Sequence, residues 1–342
     1  MNTRSQRAIG VWLFVCCALI FAMVVLGGVT RLTRSGLSIV EWQPIVGALP
    51  PLTEAQWEET FAKYRATPEY LKVNLGMSLA DFKSIFWVEY AHRLLGRAIG
   101  LAFLVPFLYF LARRRIERRL VPKLAALFVL GGLQGALGWY MVASGLVDNP
   151  HVSPYRLTAH LGLAVLIYGY MLWIALDLVR TPPSMPSDAG VRRSVWLFTA
   201  LVFVMILSGG FVAGTRAGFV FNTFPLMNGA WLPPGVLALD PWWRNLFENV
   251  ATVQFDHRLL AYVLIAATIA LWLTVRRTVP AARAAANMLL ATLTLQVLLG
   301  IGTLLWVVPV PLAAAHQAGA LLVYTAALLL AHRLRAPRAI NP

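Results

Sequence analysis

The stretch "VEYAHRLLGR", Val88–Arg97, sets a carboxylate, a histidine and two arginines inside an otherwise apolar segment. Later the chain reads "VQFDHRLL", Val253–Leu260. Val, His, Arg, Leu and Leu return at the same relative positions, while Glu89 gives way to Gln254. The surrounding chain has 342 residues, 59% of them hydrophobic and only 13% charged. Ionisable groups inside a bilayer are costly and usually functional, so a charged phrase written twice, with the acid at its second position kept once, needs a chemical reason.

Working outward from both copies, apolar runs of about 20 residues, the length that crosses a bilayer, recur along the chain. Eight spans are expected, at roughly 10–30, 85–111, 122–144, 155–179, 194–213, 250–274, 284–307 and 312–333. The runs are continuous rather than alternating, which argues against a β-barrel. The fold class is an all-α integral membrane protein with eight transmembrane helices.

A net charge of +15 could point to nucleic acid, but its distribution does not. Connections on one side carry 17 of the 29 basic residues, from Arg4 and Arg7 through "RRRIERR" (113–119) to Arg333, Arg335 and Arg338, against Glu117, Asp177 and Asp188. The positive-inside rule puts that side, and both termini, in the cytoplasm. The basic patch also suits anionic lipid; no nucleic-acid partner is implied. Cys16 and Cys17 are neighbours in the first span. Adjacent helix positions do not face each other, so they read as small buried residues rather than a disulfide.

Two connections on the outer side are long, 31–84 and 214–249. Section 53–66 of the first is expected as an amphipathic helix at the membrane interface. The halves look duplicated. "GGVTRLTRSG" (27–36) aligns with "GGFVAGTRAG" (209–218), "LQGALG" (133–138) with "LQVLLG" (295–300), and "AHLGLAVLIY" (159–168) with "AHQAGALLVY" (315–324). With four spans per unit, both copies share one orientation, as in parallel repeats. Two side-by-side four-helix bundles are expected, residues 1–181 and 191–335.

Of six histidines, His151 and His332 read as interfacial polar residues. His92, His160, His257 and His316 fall at matched places on spans two, four, six and eight, in one band beneath the outer boundary. A lone intramembrane histidine is usually a helix-to-helix hydrogen-bonding group; four in one band read as ligands. Two neutral imidazoles on facing helices suit axial ligation of haem iron. Zinc fits less well, because no Cys, Asp or Glu completes a tetrahedral set in both halves. Small residues beside the ligands, Ala91, Gly96, Gly162, Ala315 and Gly319, leave room for a flat ring or serve close helix packing. Arg93 and Arg258 follow the histidines and suit either a haem propionate or a lipid headgroup; Arg34 and Arg216 share that ambiguity. Trp42, Trp87, Trp139, Trp242 and Trp243 read as an interface belt. Glu89 and His92 share a helix face, and Glu89 either pairs with Arg93 or handles protons at a bound porphyrin. Gln254 cannot titrate, so the first half reads as reactive and the second as electron-transferring.

At these residues the chain resembles the haem A synthase family across nearly its whole length. The resemblance rests on the eight spans, the duplicated halves, "EYAHR" (89–93) and the later "HR", "AH" and "AH" histidines. "DNPHVSPYRLTAHL" (148–161) and "FNTFPLMNGAWLPP" (221–234) are similar to segments of the proteobacterial and mitochondrial branch. The resemblance implies a bacterial inner-membrane oxidoreductase that converts haem O to haem A for cytochrome oxidase. It implies that His257 and His316 hold haem b, that His92 and His160 with Arg93 flank substrate haem O, and that Glu89 assists hydroxylation of a ring methyl with water as the oxygen source. It further implies haem O synthase and oxidase assembly factors as partners and an unidentified electron acceptor, and it leaves self-association open. Residues 31–84 hold no cysteine, unlike some bacterial members, so no thiol step is available there. A bis-histidine b-type cytochrome and a haem transporter are the rival readings. The first gives no reason for the Glu89/Gln254 difference, and the second is disfavoured by spans without paired mid-membrane breaks.

Overall fold

The computed structural model describes residues 3–41, 47, 49–145, 152–179 and 188–335. Among the described residues, eight helices are long and apolar enough to cross a membrane. They are α1 (Thr3–Leu32), α4 (Leu79–Ala112), α5 (Val121–Gly145), α6 (Pro154–Val179), α7 (Ala189–Thr215), α9 (Val250–Thr278), α10 (Arg283–Leu305) and α11 (Val310–Arg333). Three short helices, α2 (Glu54–Arg65), α3 (Pro68–Lys72) and α8 (Asn245–Glu248), lie in the two long connections. No strand occurs among the described residues beyond one isolated bridge, Met227 with Ala230.

Local chemistry sets the helix starts that matter for the site. Ser78 caps α4 by accepting from Asp81 N, and Asn249 caps α9 by accepting from Ala251 N and Thr252 N, which satisfies donors that a first turn leaves unpaired. Starting at Leu79, α4 runs beyond the apolar stretch. Its extension carries Phe82 and Phe86, and the apolar face of α2 (Trp57, Phe61, Tyr64) packs on them rather than on lipid. The 53–66 helix therefore exists, but its apolar side is covered by protein.

Helices α1, α4, α5 and α6 form one closed ring of neighbours, and α7, α9, α10 and α11 form another; α1 and α6 pack against α7 and α11 between them. One buried apolar core is continuous across both rings, and Cys16 and Cys17 are free and buried in it. Polar ties also cross the seam. Arg31 donates to Ala213 O, Gln317 Nε2 donates to Val24 O at 2.8 Å, and the Tyr168 and Thr325 hydroxyls pair at 2.8 Å. On the arginine-rich face, Asp177 accepts from His332 Nε2 at 2.9 Å and pairs with Arg335. His332 is thus a buried cross-seam residue and not an interfacial one. Asp177 belongs to α6 rather than to a connection, and a carboxylate inside a span requires such partners. Trp87, Trp139, Trp242 and Trp243 are exposed, as a boundary belt requires; Trp42 and His151 lie outside the described residues.

Candidate functional site

His92, His160, His257 and His316 each lie against a glycine of a neighbouring helix. A Cβ placed on Gly27 of α1 would come within 3.3 Å of His92 Nε2, and one on Gly209 of α7 within 3.5 Å of His257 Cε1. On Gly138 of α5 it would meet His160 Cε1 at 2.9 Å, and on Gly300 of α10 it would meet His316 Cε1 at 2.7 Å. Real Cβ contacts are not that short, so the last two imidazoles require glycine. These four glycines are letters of the repeated phrases, and each serves as a seat that lets a ring approach backbone.

In the second half both rings are held at Nδ1. His257 Nδ1 pairs with Ser208 Oγ at 3.1 Å, and His316 Nδ1 pairs with Gln296 O at 3.2 Å. A backbone carbonyl can only accept, so His316 carries its proton on Nδ1, which leaves the Nε2 lone pair for a metal. Both histidines line a cavity of about 160 Å³ between α7, α9, α10 and α11. Its walls are mostly apolar, with Gln254, Gln296 and Arg258 as the further polar lining. Gln254 Oε1, Gln296 Oε1 and Arg258 Nε are buried without a hydrogen-bond partner. An apolar cavity with two imidazoles and an unsatisfied guanidinium nitrogen has the donor set that suits a haem. The histidines would take the iron, and Arg258 would take a propionate.

The first half is built differently. No hydrogen bond fixes the His92 ring among the described residues, and its Nε2 edge rests against α1. His160 faces the Gln134 amide, whose Nε2 lies 3.2 Å from Nδ1 and donates to His160 O at 3.0 Å. Glu89 is 2% exposed and saturated with donors. Oε2 accepts from Ser38 Oγ (2.7 Å) and Ile39 N (2.8 Å), and Oε1 accepts from Arg93 Nε (3.0 Å) and Nη2 (2.6 Å). The Arg93 partnership foreseen for this acid is present. The Ser38 and Ile39 contacts come from the first long connection, some fifty positions away, and nothing in the local phrase announces them. Arg93 also donates to Ile39 O and Glu41 O, so in this structure it holds the connection down over Glu89.

The second half repeats this frame without the acid. Arg258 Nη2 donates to Phe221 O at 2.8 Å, as Arg93 Nη2 does to Ile39 O at the matching repeat position. Gln254 Nε2 donates to Ala217 O (2.9 Å) and Phe221 O (3.4 Å). Arg34 and Arg216 both end their helices in the left-handed region, at φ 54 and φ 58. The charges of Arg34, Arg216 and Arg31 act on the Glu69 carboxylate. Burial pushes the Glu69 carboxyl up, against the pull of those three charges.

The glycine pairs also face both ways. Gly27 lies under His92, while the adjacent Gly28 lies under Gln317, which follows His316. Gly209 lies under His257, while a Cβ on Gly210 would meet Thr158 Oγ1 at 2.9 Å, close to His160 in sequence. By contrast, the expected clearance at two of the small residues is filled by protein. Gly162 faces Leu207, and Gly319 faces Gln296, so both serve helix packing. Ser208, Ser38, Gln134 and Gln296 were not singled out from sequence; the two glutamines stand in the "LQ" repeat and were the findable ones.

Comparison with known proteins gives a consistent result. The cytochrome oxidase assembly protein family (COX15-CtaA) matches residues 10–328. A protein named "Heme A synthase" from Nitrosospira multiformis is 60% identical over 336 residues, covering 96% of this chain and 94% of that protein. Proteins of the same name from Nitrosomonas eutropha (53% over 338 residues, 97% and 95% covered) and Parvibaculum lavamentivorans (53% over 330 residues, 96% and 95%) are also similar.

Proposed function

The chain belongs to the COX15-CtaA family of cytochrome oxidase assembly proteins, and from that premise we propose how its residues divide the work. Its function is that of a haem A synthase, a multi-pass membrane enzyme of haem A biosynthesis that serves cytochrome oxidase assembly. Haem O is the substrate. The reaction is an oxidation at a ring methyl, which makes the enzyme an oxidoreductase acting on CH or CH2 groups. Each of two hydroxylations takes in one water and gives up two protons and two electrons. The resulting geminal diol loses water to leave the formyl group.

The first unit, residues 1–181, holds substrate between His92 and His160. In the second, residues 191–335, His257 and His316 would hold haem b, and Arg258 would be the partner for a propionate. A haem b held there would supply one-electron redox chemistry, with the final electron acceptor outside the chain. Glu89 is the acid of the reactive half. Arg93 and the Ile39 amide fix its carboxylate, and the Ser38 hydroxyl can relay a proton to or from it. Charge developing beside the macrocycle then meets an oriented carboxylate rather than reorganising water. The arginine-rich face is cytoplasmic, which puts both histidine pairs toward the outer leaflet of a bacterial inner membrane. Haem O synthase and oxidase assembly factors are the expected partners.

The observation that carries the reading is the pair Glu89 and Gln254. Two matched frames hold two matched histidines, and only in the first does the position three residues before the histidine carry a carboxylate; the second has Gln254 there, and its Asp256 stands where the first has Ala91. Expressing the chain with a source of haem O and analysing extracted pigment tests it. Haem A beside haem B supports the synthase; haem B alone, at two per chain, would instead identify a b-type cytochrome.

A further inference from the structure

The two halves hold their first histidine differently, and the difference traces to one position. His160 and His316 sit alike, each with Cε1 nearest its glycine seat. His92 and His257 do not. His257 turns Cε1 toward Gly209 and pairs its Nδ1 with Ser208 Oγ at 3.1 Å, whereas His92 turns Nε2 toward Gly27. Aligning the glycine pairs puts Leu26 where the second half has Ser208. A leucine offers no acceptor or donor, so the His92 ring can turn about its side-chain bonds without losing a hydrogen bond.

We propose that Ser208 is a positioning residue that locks His257 for permanent ligation, and that Leu26 leaves His92 free to turn so that the first half can exchange its porphyrin. A group held by Nδ1 enters ligation with its tautomer and plane already set, and outer partners of metal-bound histidines commonly contribute about 10–100-fold in affinity. A cofactor site gains from that lock. A site that must release a product as large as its substrate is slowed by it. The inference rests on the reading that His257 is a cofactor ligand and His92 a substrate ligand.

The test uses the full-length chain in detergent, loaded with haem, and follows haem transfer to apomyoglobin together with the potential of the bound haem b. Ser208→Ala is expected to speed loss of haem b about tenfold or more and to raise its potential, because a less polarised imidazole donates less to iron; Ser208→Thr should restore both. Leu26→Ser is expected to slow transfer of haem A from the first half by a similar factor while haem b is unchanged. Haem b retention and potential in Ser208→Ala equal to the parent, or unaltered haem A release in Leu26→Ser, would overturn the proposal. His257→Ala separates this from the underlying reading. If haem b survives that change, the ligand assignment itself falls; if it is lost while Ser208→Ala behaves as the parent, only the role of Ser208 falls.

Discussion

The two halves share a frame and differ in how tightly it is closed on the chemistry. In the second, Ser208 and the Gln296 carbonyl fix both imidazoles, and they face a formed cavity. In the first, His92 has no hydrogen bond among the described residues, and the investment goes instead into Glu89, which four donors hold in place. On the division of work proposed above, a handful of side chains would set one half for retention and the other for turnover.

The hardest way to break this comparison is to remove a fixed ligand. His257→Ala should abolish haem b, read as loss of its pyridine haemochrome band. Next comes Glu89→Gln. It should leave haem b in place and stop haem A formation or stall it at the alcohol, as seen by chromatography of extracted haems. Normal haem A from that variant would remove the acid from the mechanism. A smaller effect is expected at the seats. Gly300→Ala adds a methyl 2.7 Å from His316 Cε1, so the ring must shift and haem b content should fall several-fold. Gly27→Ala, at 3.3 Å from His92, should leave haem b content unchanged; equal loss in both would erase the contrast between a fixed and a mobile ring.

The smallest effect concerns stability. Burial holds the Glu69 carboxyl above its ordinary value, so its ionised form disfavours the fold at pH above the folded-state value. That penalty is relieved as pH falls through the folded value toward the ordinary one, near 4.5. Glu69→Gln should therefore raise the melting temperature slightly at neutral pH and leave it unchanged in acid. A lower melting temperature at neutral pH would mean that the three arginines need the charge.

Much of this was legible in the sequence because the membrane makes polar residues conspicuous. Four histidines at matched places, and an acid one turn from one of them, are visible without coordinates. The glycine seats were visible only as repeated letters, since nothing in "GG" or "LQGALG" says which ring will rest on it. Ser38 and Ile39 escaped because their link to Glu89 spans about fifty residues of connection. His332 and Asp177 were misjudged for a related reason. Each looks marginal alone, at a span end, and only the packing of α6 on α11 pairs the buried histidine with the half-buried carboxylate.

Helix α1 presents successive residues to two different histidine-bearing helices, Gly27 to His92 of α4 and Gly28 to Gln317 of α11, beside His316. It is a party wall one backbone thick. A methyl group added at position 28 would be a first-half mutation by numbering and a second-half mutation by spectrum, because Gln317 would have to yield its hydrogen bond to Val24. Lesions along this helix therefore cannot be assigned to either half by their address in the chain, and neither copy is free to drift there without the other.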